Sequence, residues 1–285
     1  MSQVFLPRQL GELWDIMQEN PATAVMAGGT DLLVHIRDNG HAPAVILGLE
    51  NIDELKQIEM QDGEIRIGGM VTHQQLLQSP LIQSRLPCLH QAVAVLGSPP
   101  IRHMGTIGGN ICTASPAGDT LPPLYVLNAS LELRTSTASR VLPIQEFILG
   151  PGQTALVRNE ILYQIRIPVI APHARGFYFK VGQRKALAIA ITSMASILHI
   201  SDDNDIMDCR LAWGSIGPTI MRFPDLEKNF TGEKLNALTL GRLGQSTAQL
   251  VSPISDVRAS AEYRRLLVRN LPLKILPAYS QQSWK

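Results

Sequence analysis

Two short glycine-rich stretches hold the residues best suited to gripping a ligand. One runs Ala27-Gly28-Gly29-Thr30-Asp31-Leu32-Leu33, the other Gly105-Thr106-Ile107-Gly108-Gly109-Asn110-Ile111-Cys112-Thr113. Paired glycines leave backbone N–H groups bare, with no Cβ to hold an anion off. The hydroxyl and amide side chains beside them suit phosphate oxygens. A lone Gly-Gly pair reads as readily as an ordinary tight turn. Two such pairs, each flanked by Thr and a second polar residue, point to a grip on the two phosphates of one dinucleotide. The spacing excludes the common ways of holding one. Neither stretch is a G-x-G-x-x-G with an acidic residue about twenty positions on, and no Gly-Lys-Ser/Thr tripeptide occurs.

The elements that must position these loops follow from hydrophobic periodicity. Pro7 to Asn20 reads as an amphipathic helix, with Leu10, Leu13, Trp14 and Met17 on one face. Ala22 to Met26 is a short apolar run feeding the first glycine stretch, and Val45-Ile46-Leu47 and Ile65-Arg66-Ile67 read as strands. Thr72 caps a helix from about His73 to Leu77, and Leu81 to Leu96 is a longer helix interrupted at Pro87. Gly97-Ser98-Pro99-Pro100 cannot stay helical and hands over to Ile101–Met104 and the second stretch, read as a loop. Ser115–Asp119 is a turn, and residues 131–134 and 161–167 alternate as strands. Pro168 and Pro172 bracket a linker. Beyond it, residues 177–180, 189–200 and 209–213 read as strands with a hairpin turn at Asp202-Asp203-Asn204. Residues 231–250 and 260–268 read as helices. That is a sheet backed by helices, a compact α+β unit.

The totals set bounds. A chain of 285 residues with a 45% hydrophobic fraction makes two domains or one large one, with a real core. A formal net charge of +1 gives no field to attract nucleic acid or a membrane surface. No apolar run reaches the roughly 20 residues that span a bilayer, and the N-terminus lacks a secretory pattern, so a cytoplasmic location is the default. Cys88, Cys112 and Cys209 form no C-x-x-C pair, and the seven histidines show no metal-ligand spacing. No metal site is expected on this chain.

The motifs together carry a resemblance. Ala27-Gly28-Gly29-Thr30-Asp31-Leu32, Ile101-Arg102-His103-Met104-Gly105-Thr106-Ile107-Gly108-Gly109-Asn110, Ala114–Asp119 and Arg258-Ala259-Ser260-Ala261-Glu262-Tyr263-Arg264-Arg265 occur in the order found in the FAD-binding (medium) subunits of molybdenum hydroxylases. The chain resembles that family, of xanthine dehydrogenase and carbon monoxide dehydrogenase type, over nearly its whole length. The resemblance implies a vanillyl-alcohol-oxidase (PCMH)-type α+β fold. Its FAD-binding domain would span 1–172, with subdomains about 1–55 and 56–172, and a C-terminal α+β domain would span 173–285. It implies noncovalent FAD here, with molybdopterin and two [2Fe–2S] clusters on partner chains, a large and a small subunit. Electrons would leave through FAD to NAD or another acceptor.

It also implies roles for single residues. Ala27, Gly28, Gly29, Thr30, Asp31, Leu32, Ile101, Thr106, Gly108, Gly109, Asn110 and Thr113 would surround the cofactor. The glycines would bring amides to the pyrophosphate and the threonines would add hydroxyls. Asp31 either binds through its amide while its side chain caps a local turn, or ligates directly. Asn110 either donates to phosphate or holds a left-handed loop residue. Asp119 would accept from a sugar or ribityl hydroxyl, and Leu162 would present backbone to the flavin. Lys180 would face the isoalloxazine, stabilise the anionic reduced flavin and raise its potential. Arg184 belongs to the same motif. Many relatives carry an acidic residue before the isoleucine matching Ile189. Here Ala188 stands there, within Lys185-Ala186-Leu187-Ala188-Ile189, which leaves Lys180 unopposed and puts NAD as acceptor in question. Two other readings compete, a stand-alone flavin oxidase of the vanillyl-alcohol-oxidase type and a non-enzymatic nucleotide-binding module.

Overall fold

A computed structural model describes residues 2–171, 173–184 and 187–282. Pro172, Lys185 and Ala186, which figure in the linker and motif readings above, lie outside the described residues. The chain forms two compact units that interleave in sequence. The first comprises residues 1–79, 97–114 and 128–169, the second 80–96, 115–127 and 170–285. The fold is α+β throughout.

In the first unit, three short strands make a parallel sheet in the order Gln3–Phe5, Val45–Gly48, Ala24–Met26. Helix Leu10–Glu19 covers it, and Leu13 and Met17 join Leu47, Ile52 and Leu55 in one apolar cluster. The same unit holds an antiparallel five-stranded sheet in the order Ile58–Gln61, Glu64–Gly68, Ile161–Pro168, Ser130–Arg134, Ser139–Pro143. Thr72 caps helix His73–Gln78 as expected, and Gln75 completes a capping box by accepting from the Thr72 amide.

The second unit is built on an antiparallel sheet ordered Arg175–Val181, Thr192–Ile200, Ile206–Gly214, Met221–Arg222. Helices Ala237–Leu250, Ala261–Asn270 and Ile275–Gln282 back it, and Trp213, Phe177, Leu198, Leu243 and Val268 fill the space between. Asn236 and Ser260 cap the first two of these helices through side-chain oxygens, so the first starts at 237 rather than 231. Helices Pro87–Ala94 and Leu121–Val126 belong to this unit, packed on its strands. Among the described residues no helix is long and apolar enough to cross a membrane.

Three readings are corrected. Pro87 does not interrupt a long helix but starts a second one, after Pro80–Arg85. Pro99 and Pro100 likewise open helix Pro99–Met104, capped by Ser98, because a first turn has no use for their missing N–H. The second glycine stretch is not a loop. Ile107–Thr113 is a helix, capped by Thr106.

Candidate functional site

The first unit brings the two glycine stretches into contact. A Cβ on Gly28 would lie 1.7 Å from the Met104 carbonyl oxygen, so only glycine lets these two segments touch. Gly29 has φ +71°, a left-handed conformation that side chains resist. Thr30 lies beside Gly105, whose Cβ would sit 3.3 Å from Thr30 Oγ1. The Thr113 hydroxyl reaches Asp31 Oδ2 at 3.1 Å across 82 residues of chain, and Gly109 O at 3.0 Å. Asp31 therefore does not cap its own turn with its side chain; it ties the first stretch to the helix of the second. His35 Nε2 lies 3.5 Å from the same carboxylate.

The two stretches differ in their free donors. No backbone hydrogen bond occupies the amides of Gly28, Gly29, Thr30, Asp31 and Leu32 among the described residues. The second stretch is spent inward. Ile107 N–H donates to Val71 O, Gly108 N–H to Gly69 O, Gly109 N–H to Thr106 Oγ1 and Asn110 N–H to Thr106 O. The expectation of bare amides there is overturned, because a capped helix claims them. Asn110 lies inside that helix and is not a left-handed loop residue; the left-handed position is Ala114, φ +48°. Gly108 packs on backbone, where a Cβ would lie 2.4 Å from Gly69 O. Gly109 is less confined, an added Cβ meeting side chains rather than backbone, Thr106 Oγ1 at 3.0 Å and Ala27 Cβ at 3.6 Å. Ile101 is exposed on helix Pro99–Met104. Leu162 is buried on strand Ile161–Pro168, its carbonyl 2.3 Å from where a Gly69 Cβ would stand.

The second unit holds a cluster of buried charge. Lys180 Nζ donates to Asp119 Oδ2 at 2.6 Å, and the Tyr178 hydroxyl donates to Oδ1 at 2.8 Å. Burial pushes the Asp119 carboxyl up, against the pull of Lys180 and Tyr178. Burial, then the neighbouring Asp119 charge, push the Tyr178 phenol well above its ordinary value. Lys180 is thus not an unopposed ammonium. Ala188 supplies no acid, but Asp119 does. Tyr178 and Lys180 thereby take up one lone pair on each Asp119 oxygen. A cleft of about 780 Å³ opens here, lined by Gln91, Tyr178, Lys180, Arg184, Ala188 and Lys274 among others. Arg184 is turned onto its own loop, donating to Leu187 O at 2.8 Å.

A family model described as "FAD binding domain in molybdopterin dehydrogenase" matches residues 1–170, and one described as "CO dehydrogenase flavoprotein C-terminal domain" matches 177–278. The chain belongs to the FAD-binding subunits of the molybdenum hydroxylases. It is 32% identical over 269 residues to a putative xanthine dehydrogenase FAD-binding subunit of Escherichia coli (strain K12), covering 94% of this chain and 92% of that one. It is 31% identical over 265 residues to the glyceraldehyde dehydrogenase medium chain of Sulfolobus acidocaldarius, covering 93% of each. A chain of quinoline 2-oxidoreductase from Pseudomonas putida 86 shares the fold, with a TM-score of 0.92 at 22% identity over 100% of this chain and 99% of that one. As a member of an oxidoreductase family, this subunit carries an FAD-binding domain and the C-terminal flavoprotein domain.

The residues present fit that cofactor. The amides of Gly28 to Leu32, Gly29 among them in a left-handed conformation, have no backbone partner among the described residues and are available to an anion. At Gly109 a Cβ would take up space between Thr106 Oγ1 and Ala27.

The family motifs did not pick out three residues of this subunit that the structure brings forward. Tyr178 fixes Asp119. Gln91 fixes Tyr178, accepting from its amide at 2.9 Å while donating to Gly176 O. His73, nearly fully buried, donates its backbone N–H to Gly105 O, and its Nδ1 has no partner among the described residues. Burial, then the charge of Arg102, lower the His73 imidazole to about 4. Tyr178 sits two places before Lys180 on one strand, a same-face spacing that could have flagged it.

Proposed function

We propose that this subunit carries electrons within a molybdopterin-dependent hydroxylase or dehydrogenase of xanthine dehydrogenase type. Its partners are a large molybdopterin-binding subunit and a small [2Fe–2S] subunit, and the assembly is cytoplasmic. Bound FAD supplies two-electron storage between the clusters of the small subunit and NAD or another acceptor. The run of amides from Gly28 to Leu32 carries this reading, because these five donors have no backbone partner among the described residues. In it, Gly28, Gly29, Thr30, Asp31 and Leu32 offer donors to the pyrophosphate, with Ala27 and Ile101 lining the approach. Gly109 clears room for the pyrophosphate, and Thr106, Gly108, Asn110 and Thr113 hold the second stretch in place. Asp119 and Lys180 serve the ribityl and ring end, and Leu162 presents backbone. Lys180 raises the flavin potential by an amount that Asp119 moderates.

The flavin is noncovalent, since the first stretch offers no His or Cys for attachment. Acid or heat should release FAD into the supernatant. Flavin that stays with the precipitate, or a chain reconstituted only with FMN, would rule this out. Affinity purification separates this reading from a stand-alone oxidase. Two partner chains with molybdenum and iron support the complex, and turnover by the lone chain supports the oxidase.

A further inference from the structure

Arg264, in helix Ala261–Asn270, is 2% exposed. A guanidinium so deep is expensive unless its donors are met; here the Nη groups find partners, while Nε has none among the described residues. Nη1 donates to the carbonyls of Ile191 and Ser215, the latter at 2.6 Å. Nη2 donates to Asp256 Oδ1 at 2.8 Å. Asp256 is itself fixed, accepting from the amides of Arg258 and Ala259.

The two carbonyls lie at one end of the antiparallel sheet. Ile191 precedes strand Thr192–Ile200, and Ser215 follows strand Ile206–Gly214, with Ser193 paired to Gly214 and to Lys180. From Ile191, one hydrogen bond leads to Lys180's neighbour, since Ile191 N–H donates to Val181 O at 2.8 Å. From Ser215, another leads toward Asp119, since Ser215 N–H donates to Pro116 O at 2.9 Å. The turn closed by Gly118 N–H on Ser115 O then delivers Asp119. Ser215 holds φ +64°, a left-handed conformation unusual for a residue with a side chain. It is gripped on both sides, through its amide and through its carbonyl. Gly214 beside it admits the 115–122 segment, because a Cβ there would lie 2.4 Å from Ser193 Oγ and 3.2 Å from Pro122.

We propose that Arg264 is a positioning residue: by clamping the carbonyls of Ile191 and Ser215 it sets the geometry of the Asp119–Lys180 pair. One side chain thereby fixes both the segment that carries the carboxylate and the strand that carries the ammonium. Lysine cannot replace it, because a single ammonium lacks the planar fork that reaches two carbonyls and a carboxylate at once. The importance of the clamp for flavin rests on the reading that Lys180 and Asp119 serve the ring end.

Full-length Arg264→Lys, Lys180→Met and the double variant, each with its flavin, test this by crystal structure and redox titration. In Arg264→Lys the Lys180 Nζ to Asp119 Oδ2 separation should open beyond hydrogen-bond reach, more than about 3.5 Å. Its flavin midpoint potential should shift, with no further shift when Arg264→Lys is added to Lys180→Met. A folded Arg264→Lys chain that keeps the pair intact, or shifts that add in the double variant, would overturn the inference. If Arg264→Lys does not fold, Asp256→Asn takes its place. Loosening of the same pair is then expected, and an unmoved pair overturns the clamp. An opened pair together with an unmoved potential in Lys180→Met would leave the clamp standing and remove Lys180 from the flavin.

Discussion

The glycine crossing of the first unit and the Asp119–Lys180–Tyr178 cluster of the second are built from opposite materials. The crossing is backbone: amides, carbonyls and glycines whose missing side chains let two segments touch. The cluster is side-chain charge, buried and neutralised within itself. Backbone donors do not titrate, so the amides and carbonyls of the crossing keep their polarity at any pH, its side-chain tie being the Thr113–Asp31 bond, whereas the cluster holds only while both charges are present. Close approach also makes the crossing intolerant of added volume, while the cluster is intolerant of lost charge.

The largest effect expected is at Gly28. With a Cβ 1.7 Å from a backbone oxygen, Gly28→Ala should destabilise by more than about 5 kcal/mol, read by urea unfolding. Gly109→Ala should stay within about 1 kcal/mol of wild type, since helical glycine gains from Ala what it loses to Thr106. Its FAD affinity, measured by titration of the apoprotein, should nonetheless fall at least about tenfold, or about 1.4 kcal/mol. Equal stability losses at the two glycines would erase the distinction between packing glycines and approach glycines.

Next in size are the single breaks of the cluster. Lys180→Met should cost about 3–5 kcal/mol by leaving the buried Asp119 unpaired, and Asp119→Asn less, since Lys180 is only partly buried and lines the cleft. The double variant should fall short of their sum by about 1–3 kcal/mol. Strict additivity would show that the two groups do not sense each other.

His73 is the titrating exception within the backbone-built region. Its folded-state value of about 4 lies below the ordinary 6.5, so the fold accommodates the neutral ring. Its contribution is complete above pH 6.5 and is lost as the pH falls toward 4, by about 3 kcal/mol in all. Unfolding free energies between pH 4 and 7 should show this slope in wild type and lose it in His73→Phe. The smallest loss of stability by a side-chain deletion belongs to Thr106→Ala, about 1 kcal/mol for a lost helix cap, measured by thermal unfolding.

Much of the first unit was legible because its signals are local. Thr72 before a helix, apolar alternation at Ile65–Ile67 and the run into Gly28 each depend on a few neighbouring residues. The second glycine stretch misled because Gly-Gly weakens helix propensity, while Thr106 and the bonds to Gly69 and Val71 supply what propensity lacks. Leu121–Val126 was missed since Pro122 and Pro123 argue against a helix everywhere except its first turn. At the site, the motifs picked out Lys180 and Asp119 but not their bond, which spans 61 residues. Charge pairing across such a distance leaves no periodic trace. Arg264 was visible only as one letter of a motif, because its acceptors are backbone carbonyls that any residue provides.

The interleaving of the two units bears on synthesis. Once residue 169 has left the ribosome, the first unit has all its parts, while helices Pro87–Ala94 and Leu121–Val126 still await the strands they cover. Leu89, Val93 and Leu124, fully buried at the end, stay uncovered while the remaining residues, 170–285, are translated. At about 5–20 residues per second that delay is on the order of ten seconds. During that interval the first unit is complete in sequence, while two apolar helices still lack the strands that bury them.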